Sequence, residues 1–396
     1  MYSLLFLFVA IIISIPLLVI GTECLVTLLI GFKAPSQQEK LENRVSFKIL
    51  MPAHNEAAII GQTLGKLIPQ LPGGLSKNIL LIADNCTDKT TAIAKSMGIT
   101  VLERYNQADR GKGFALAYGI QHLQNNNPPD VIVILDADCE TSKIALINLI
   151  NTVVRHHRPA QMIYLMRSPE NSALKQKISS FAWMLKNKVR LIAMNTLGLP
   201  VTLTGTGMAF PWQVLEKVQI GNGNIVEDMQ LGIDCAINGF SPVLCSDAVV
   251  YSDFPEQSSA ELSQRTRWEH GHLQTIMQQV PTLIKESWRQ RNFRLFAYAL
   301  DIGVPPLSLL VLVAIGGLTL LVICLIITDT SAAIVFLLLS FLYFAVMLAL
   351  IWRRFGSDYL TAAEIAGIPN YVFSKLSIYF SFIFKRQKEW VRTDRN

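Results

Sequence analysis

Several short signatures that would assign a function at once are missing from this sequence. It has no Gly-x-Gly-x-x-Gly after an early strand and no Gly-x-x-x-x-Gly-Lys-Ser/Thr, which excludes a dinucleotide-binding Rossmann domain and a P-loop enzyme. Cysteine is sparse and scattered: Cys24, Cys86, Cys139, Cys235, Cys245 and Cys324 show neither Cys-x-x-Cys nor zinc-finger spacing, so reduced structural thiols are expected. His270 and His272 flank Gly271 in a pattern unlike His-Glu-x-x-His, and both are expected to be structural. Charge is scarce too. Only 16% of the 396 residues are charged against 51% hydrophobic, and the mean hydropathy is +0.37. The chain is too apolar for one ordinary soluble domain and too charged for a pure bundle of membrane helices. Disorder and collagen-like repeats are excluded. The excess of 35 basic over 29 acidic residues is small and reads as a membrane-topology signal, so no nucleic-acid partner is expected.

Long apolar runs are what the chain does have. No charged side chain occurs from Met1 to Thr22, and the apolar stretch resumes after Glu23 as far as Phe32. That is enough helix to cross about 30 Å of hydrocarbon, and without a basic n-region it reads as an anchor, not a cleaved signal. Ile302 to Thr328 and Thr330 to Trp352, separated by Asp329, form a transmembrane hairpin. Lys285, Arg289, Arg291 and Arg294 precede it, and Arg353 with Arg354 follows. These cations place the hydrophilic middle in the cytoplasm. The expected organisation is an anchor over 1–32, a cytoplasmic domain with interfacial helices over 33–295, the hairpin over 296–355, and an interfacial or re-entrant segment with a basic tail over 356–396. The segment around Phe181, Trp183, Met184 and Leu185, followed by Lys186, Lys188 and Arg190, reads either as an amphipathic helix on the bilayer or as a core helix with a basic edge.

The middle alternates β-branched runs with helix-period segments. Strands are predicted over Phe47–Met51, Ile79–Ala83, Ile99–Leu102 and Val131–Leu135, and helices over Ala57–Ile68, Thr87–Met97 and Gly113–Leu123. This βαβ series predicts an α/β domain with a mostly parallel sheet, whose ligands collect at the carboxyl ends of the strands. Those ends carry Pro52-Ala53-His54-Asn55-Glu56, Asp84-Asn85-Cys86-Thr87-Asp88 and Asp136-Ala137-Asp138. Asp136 and Asp138, two apart, point the same way and can share one Mg2+ or Mn2+, or they are two solvated acids in a turn. Glu227 and Asp228 precede a helical run and are either a site or a favourable helix-dipole contact. Gln264-Arg265-Thr266-Arg267-Trp268 reads as a snorkelling interfacial helix or as a diphosphate clamp. His54 and Cys139 are expected to be a satisfied loop imidazole and a small buried residue.

In this order, the motifs resemble those of membrane-bound family 2 glycosyltransferases, the inverting, nucleotide-sugar-dependent enzymes with the Rossmann-like GT-A fold. The likeness runs from about residue 46 to 270, through the first-strand Asn55-Glu56, the Asp84 loop, the Asp136-Ala137-Asp138 triplet, Glu227-Asp228 and Gln264-x-x-Arg267-Trp268. The resemblance implies Asp228 as catalytic base and a metal on Asp138 assisted by Asp136. It also implies donor contacts from Glu56, Asp84, Lys112, Asp136, Gln264, Arg267 and Trp268, with Gly205, Thr206 and Glu227 on the acceptor side. Trp390, Arg392 and Thr393 resemble a tail that closes over the diphosphate, with a basic terminus held to anionic lipid as the alternative. A UDP-sugar donor, a divalent cofactor and a multi-pass protein of the bacterial inner or plasma membrane are expected. The Gln-x-x-Arg-Trp motif points to extracellular or cell-envelope polysaccharide, with a second copy of the chain or other polysaccharide-assembly proteins as candidate partners. The small number of spans keeps a ceramide- or glycolipid-type acceptor as the alternative. A non-catalytic nucleotide-sugar-binding membrane protein is the reading from another class.

Overall fold

The computed structural model describes residues 2–32, 40–41, 45–71, 76–168, 172–221, 226–254 and 258–384. The first half of the chain runs α1 (Tyr2–Ile30), β1 (Phe47–Ala53), α2 (Ile60–Leu67), β2 (Ile79–Asp84), α3 (Thr90–Ser96), β3 (Thr100–Arg104), α4 (Lys112–Asn125), β4 (Val131–Ile134), β5 (Glu140–Thr141), α5 (Lys143–His156) and β6 (Ala160–Arg167). Then come α6 (Leu174–Met184), a π-helical turn over Leu185–Arg190, α7 (Leu191–Thr196), β7 (Met208–Pro211), α8 (Trp212–Leu215), α9 (Glu227–Ile237), β8 (Val243–Asp253) and α10 (Ser258–Arg289). The chain continues through α11 (Phe293–Ile302), α12 (Leu307–Cys324), α13 (Ser331–Ile351), α14 (Ala362–Ile365), α15 (Ile368–Ser374) and α16 (Leu376–Phe384).

The chain divides into two compact units, one of them Lys33–Arg167, Gly198–Gly271 and Lys388–Asn396. Within that unit the described strands form a single sheet in the order β3-β2-β1-β4-β7-β6-β8-β5. The β3-β2-β1-β4 half is parallel, whereas β7 runs antiparallel to both β4 and β6. β2 and β4 are buried along their whole lengths, which is why both read as unbroken apolar runs. Leu50, Ile82, Leu116, Ile134, Met208 and Phe210 pack into one core between the sheet and α4. Truncating a residue as enclosed as Phe210 costs about 3–5 kcal/mol. The helices after β1 and β2 begin at Ile60 and Thr90, three residues later than periodicity predicts. The cause is local: Asp88 Oδ1 accepts the Thr90 N–H at 2.9 Å, and Asp88 Oδ2 accepts the Ala57 N–H at 3.0 Å. The first residues of both segments are thereby held as loops over the carboxyl edge of the sheet.

The other unit, Met1–Phe32, Ser168–Leu197 and His272–Gln387, is helical in its described part. Three helices are long and apolar enough to cross a bilayer: α1, α12, and α13 with the turn that extends it to Gly356. α1 packs closely on α13, where Gly21 lies under the Tyr343 ring; a Cβ at that position would be 2.7 Å from Tyr343 Cδ1. Arg190 joins α1 to α11, its Nε 2.6 Å from Glu23 Oε2 and its Nη2 2.5 Å from Asp301 Oδ1. The Thr27 hydroxyl donates to the Val189 carbonyl at 2.8 Å. Phe181, Met184 and Leu185 are buried. The tail forms helices of 4, 7 and 9 residues, none long enough to cross alone. It is tied to α6 through Lys177–Glu364 at 2.7 Å and to the first turn of α12 through Tyr379 and Ser308.

Candidate active site

The loops that follow β1 and β2 interlock. Asn55 and Asn85 both take the left-handed conformation, φ 56° and 52°, which asparagine tolerates better than most residues. Asn55 Oδ1 accepts the Thr87 N–H at 2.7 Å, and Asn85 Oδ1 accepts that of Asn106 at 2.9 Å. The His54 ring nitrogen meets the Asp84 carbonyl at 2.6 Å, and the Glu56 N–H donates to the Thr90 hydroxyl at 2.8 Å. Asp84 is buried and paired with Arg104 at 2.6 Å. Arg104 is its direct neighbour across the β2/β3 register. The pattern of the sequence did not point to this arginine, because only strand pairing brings it there.

At the end of β4, the carboxylate oxygens of Asp136 and Asp138 and the Cys139 sulfur lie within 4.8 Å of one another. Burial, together with the Asp138 and Asp136 charges, pushes the Cys139 thiol well above its usual range. The Thr206 hydroxyl is placed 3.3 Å from that sulfur and 3.0 Å from the Asp136 N–H, from which it accepts. Beside this sulfur the two aspartates offer carboxylate oxygens as donors. Such a set fits a hard divalent cation such as Mg2+ or Mn2+.

The loop before β7 carries Gly205 with φ +90°. A Cβ there would lie 3.2 Å from Asp228 Oδ2 and 3.5 Å from Lys112 Nζ, so glycine is what lets the backbone approach both. Gln161 holds the loop from behind, accepting the Thr204 N–H at 2.9 Å and donating to the Thr206 carbonyl at 2.9 Å. Gln161 is fully buried. An isolated glutamine inside the apolar run of β6 was the one sequence signal for it.

Lys112, the first residue of α4, reaches into this space. Its ammonium lies 2.5 Å from Asp136 Oδ1 and donates to the Gly205 carbonyl at 2.8 Å. Burial alone would lower its pKa, but Asp136, Glu227 and Asp228 outweigh burial and hold it above the usual lysine range. Glu227 and Asp228 open α9, with Glu227 packed on Gly113. Burial, then the neighbouring Asp228, raises the Glu227 carboxyl, and Lys112 opposes the rise. A cavity beside them is lined by Lys112, Glu227 and Asp228 at one end and by Leu116, Met208 and Ile220 among others. The structure thus brings Lys112, Asp136, Asp138, Gly205, Thr206, Glu227 and Asp228 together. Glu56 and Asp84 sit on the neighbouring strand ends. Gln264, Arg267 and Trp268 lie in the part of α10 that belongs to this unit, Gln264 buried and the other two half-buried. Trp390, Arg392 and Thr393 fall outside the described residues.

The fold is that of the GT-A class, with an acidic cluster after β4 at the carboxyl edge of the sheet. Residues 44–271 match the family described as glycosyltransferase like family 2, and the chain belongs to that family. It is 24% identical over 280 residues to a probable glycosyltransferase, YdaM, of Bacillus subtilis (strain 168), covering 67% of this chain and 64% of that one. To a beta-monoglucosyldiacylglycerol synthase of Nostoc sp. (strain PCC 7120) it is 23% identical over 285 residues, 68% of this chain and 59% of the other. The chain therefore spans somewhat less than two thirds of the length of these relatives. A solved mannosyltransferase, PcManGT from Pyrobaculum calidifontis in complex with GDP-Man and Mn2+, shares the fold with a TM-score of 0.55 at 14% identity, over 95% of this chain and 99% of that one.

Proposed function

We propose that this chain is a membrane-bound inverting glycosyltransferase that moves a sugar from a nucleoside-diphosphate sugar to a hydroxyl of a membrane-associated acceptor. The observation that carries the reading is the junction at Gly205, where the Lys112–Asp136 pair of the donor side meets Asp228 of the acceptor side. Sugar transfer needs both together, because negative charge grows on the leaving diphosphate while the attacking hydroxyl loses a proton. Asp138, with Asp136, would hold a divalent cation; when bound, that cation supplies Lewis-acid stabilisation of the diphosphate. The Mn2+ and GDP-Man bound by PcManGT support a sugar nucleotide and a divalent metal here. Asp228 takes the acceptor proton as general base, in one displacement without a covalent enzyme intermediate. Arg267 and Trp268 serve as a fork and a flat wall for the diphosphate, and Asp84 with Glu56 borders the nucleotide.

The catalytic unit lies on the cytoplasmic side, given the cations that flank the spans. Gln264-x-x-Arg267-Trp268 favours a growing cell-envelope polysaccharide as acceptor. The Nostoc relative, named for a glucosyldiacylglycerol product, supports a lipid acceptor as the second reading. Purified membranes incubated with single labelled nucleotide sugars and Mn2+ test the proposal. Organic-phase label of fixed size indicates a lipid, long glycosidase-sensitive chains indicate a polymer, and no transfer from any nucleotide sugar refutes the function. Asp228→Asn should abolish transfer and keep nucleotide binding; near-normal turnover would remove Asp228 from the base role.

A further inference from the structure

Lys112 uses its hydrogen-bonding capacity inside the protein. An ammonium has three N–H donors, and one faces the Asp136 carboxylate at 2.5 Å while another goes to the Gly205 carbonyl at 2.8 Å. Asp136 is also fixed through its backbone, whose N–H donates to the Thr206 hydroxyl. Asp136 is therefore already bound to a cation in the folded chain. We propose that Lys112 is a positioning residue, an internal cross-brace that occupies Asp136, competes there with the divalent metal, and ties the metal triplet to the backbone against which Asp228 packs. The proposal rests on the metal-dependent reading of the site given above.

Its physical content is a competition for one carboxylate. A lysine ammonium is a compact point charge, and a divalent cation held by Asp138 seeks the same Asp136 oxygens within the 4.8 Å span of the cluster. Were Asp136 shared with a metal, the hydrogen bond that Lys112 makes to the Gly205 carbonyl would still hold the loop in place. Asp228 Oδ2 also approaches Gly205, 3.2 Å from where a Cβ would stand. A lysine acting this way sets the distance between the donor and acceptor halves without touching either substrate. It also keeps the apo site from gathering metal as strongly as two unopposed aspartates would.

The brace makes a prediction that a diphosphate-binding lysine does not. The full chain in detergent micelles is titrated with Mn2+ alone, with no nucleotide, and free Mn2+ is read from its electron paramagnetic resonance signal. Removing the competing charge in Lys112→Met should tighten Mn2+ binding about tenfold. Lys112→Gln retains a side chain that can bond to Asp136 and Gly205 while losing the charge, and it should shift the same way, which guards against a local collapse in the methionine variant. Lys112→Met combined with Asp136→Asn should bind Mn2+ no more tightly than Asp136→Asn alone, because the lysine acts through that carboxylate. Wild-type or weaker Mn2+ affinity in both lysine variants, with Mn2+ lost in Asp138→Asn, overturns the brace and leaves the metal site standing. Mn2+ retained at full affinity by Asp138→Asn overturns instead the metal reading on which the brace depends.

Discussion

Replacing Gly205 with alanine places one methyl group against Asp228 and Lys112. The backbone there has φ +90°, and the new Cβ would stand 3.2 Å from Asp228 Oδ2 and 3.5 Å from Lys112 Nζ. Two effects follow. A non-glycine residue held at such a φ costs about 1–3 kcal/mol of stability. The contact with Oδ2 is a few tenths of an ångström too short, so Asp228 must retreat from the position in which the proposed mechanism has it meet the acceptor. Misplacing a catalytic group by up to about 1 Å lowers the rate by as much as about 100-fold. Gly198→Ala separates the two effects, because Gly198 has φ +69° but nothing within 4 Å of its added Cβ. Both variants should melt lower than wild type by comparable amounts. In single-turnover transfer from the nucleotide sugar that the wild type uses, only Gly205→Ala should be slow, by about 10- to 100-fold. Equal rates in the two variants would refute the claim that Gly205 sets the place of Asp228.

Three further outcomes are expected. Burial first and Asp228 next hold the Glu227 carboxyl above its usual value in the folded chain; the folded state therefore holds the extra proton, so this group's contribution to stability is complete below the usual carboxylate range and is lost as pH rises through the raised, folded value. Glu227→Gln should flatten that fall in melting temperature between these limits, and an unchanged profile would contradict the burial argument. Gln161→Met leaves the Thr204 N–H and the Thr206 carbonyl without the partners they have at 2.9 Å, and should cost about 2–4 kcal/mol in chemical unfolding together with a fall in transfer rate. Arg190→Met strands Glu23 and Asp301 in the helical unit and should cost about 3–5 kcal/mol; Arg190→Met with Glu23→Gln and Asp301→Asn should recover most of that loss, measured as detergent-resistant thermal stability.

What the sequence makes legible is whatever depends on near neighbours. β2 and β4 are short apolar runs buried along their whole lengths, and an unbroken apolar run is what such burial requires. The acidic motifs follow them because the carboxyl ends of the strands open onto one edge. Three features depend on distant pairing and could not be read the same way. Arg104 faces Asp84 only through the register of two strands. Gln161 matters because a loop some forty residues later needs its amide. The segment Ser168–Leu197, which follows β6, packs into the helical unit, and an amphipathic pattern looks the same against a bilayer as against other helices. Helix starts were misplaced for a local reason: the Asp88 side chain caps two backbone N–H groups at once, and periodicity carries no information about caps.

The helical unit is discontinuous, and that has a consequence for how the chain is made. α1 precedes the sheet in the chain, yet its main packing partner, α13, follows it, and the arginine that pairs with Glu23 is supplied by a stretch lying between two strands of the sheet. During synthesis α1 must therefore wait for the partner of its acidic side chain until six of the eight described strands have been translated. The helical unit is thus begun early and consolidated late, so a chain stalled or cut before α13 would carry a finished sheet and an α1 without its main packing partner.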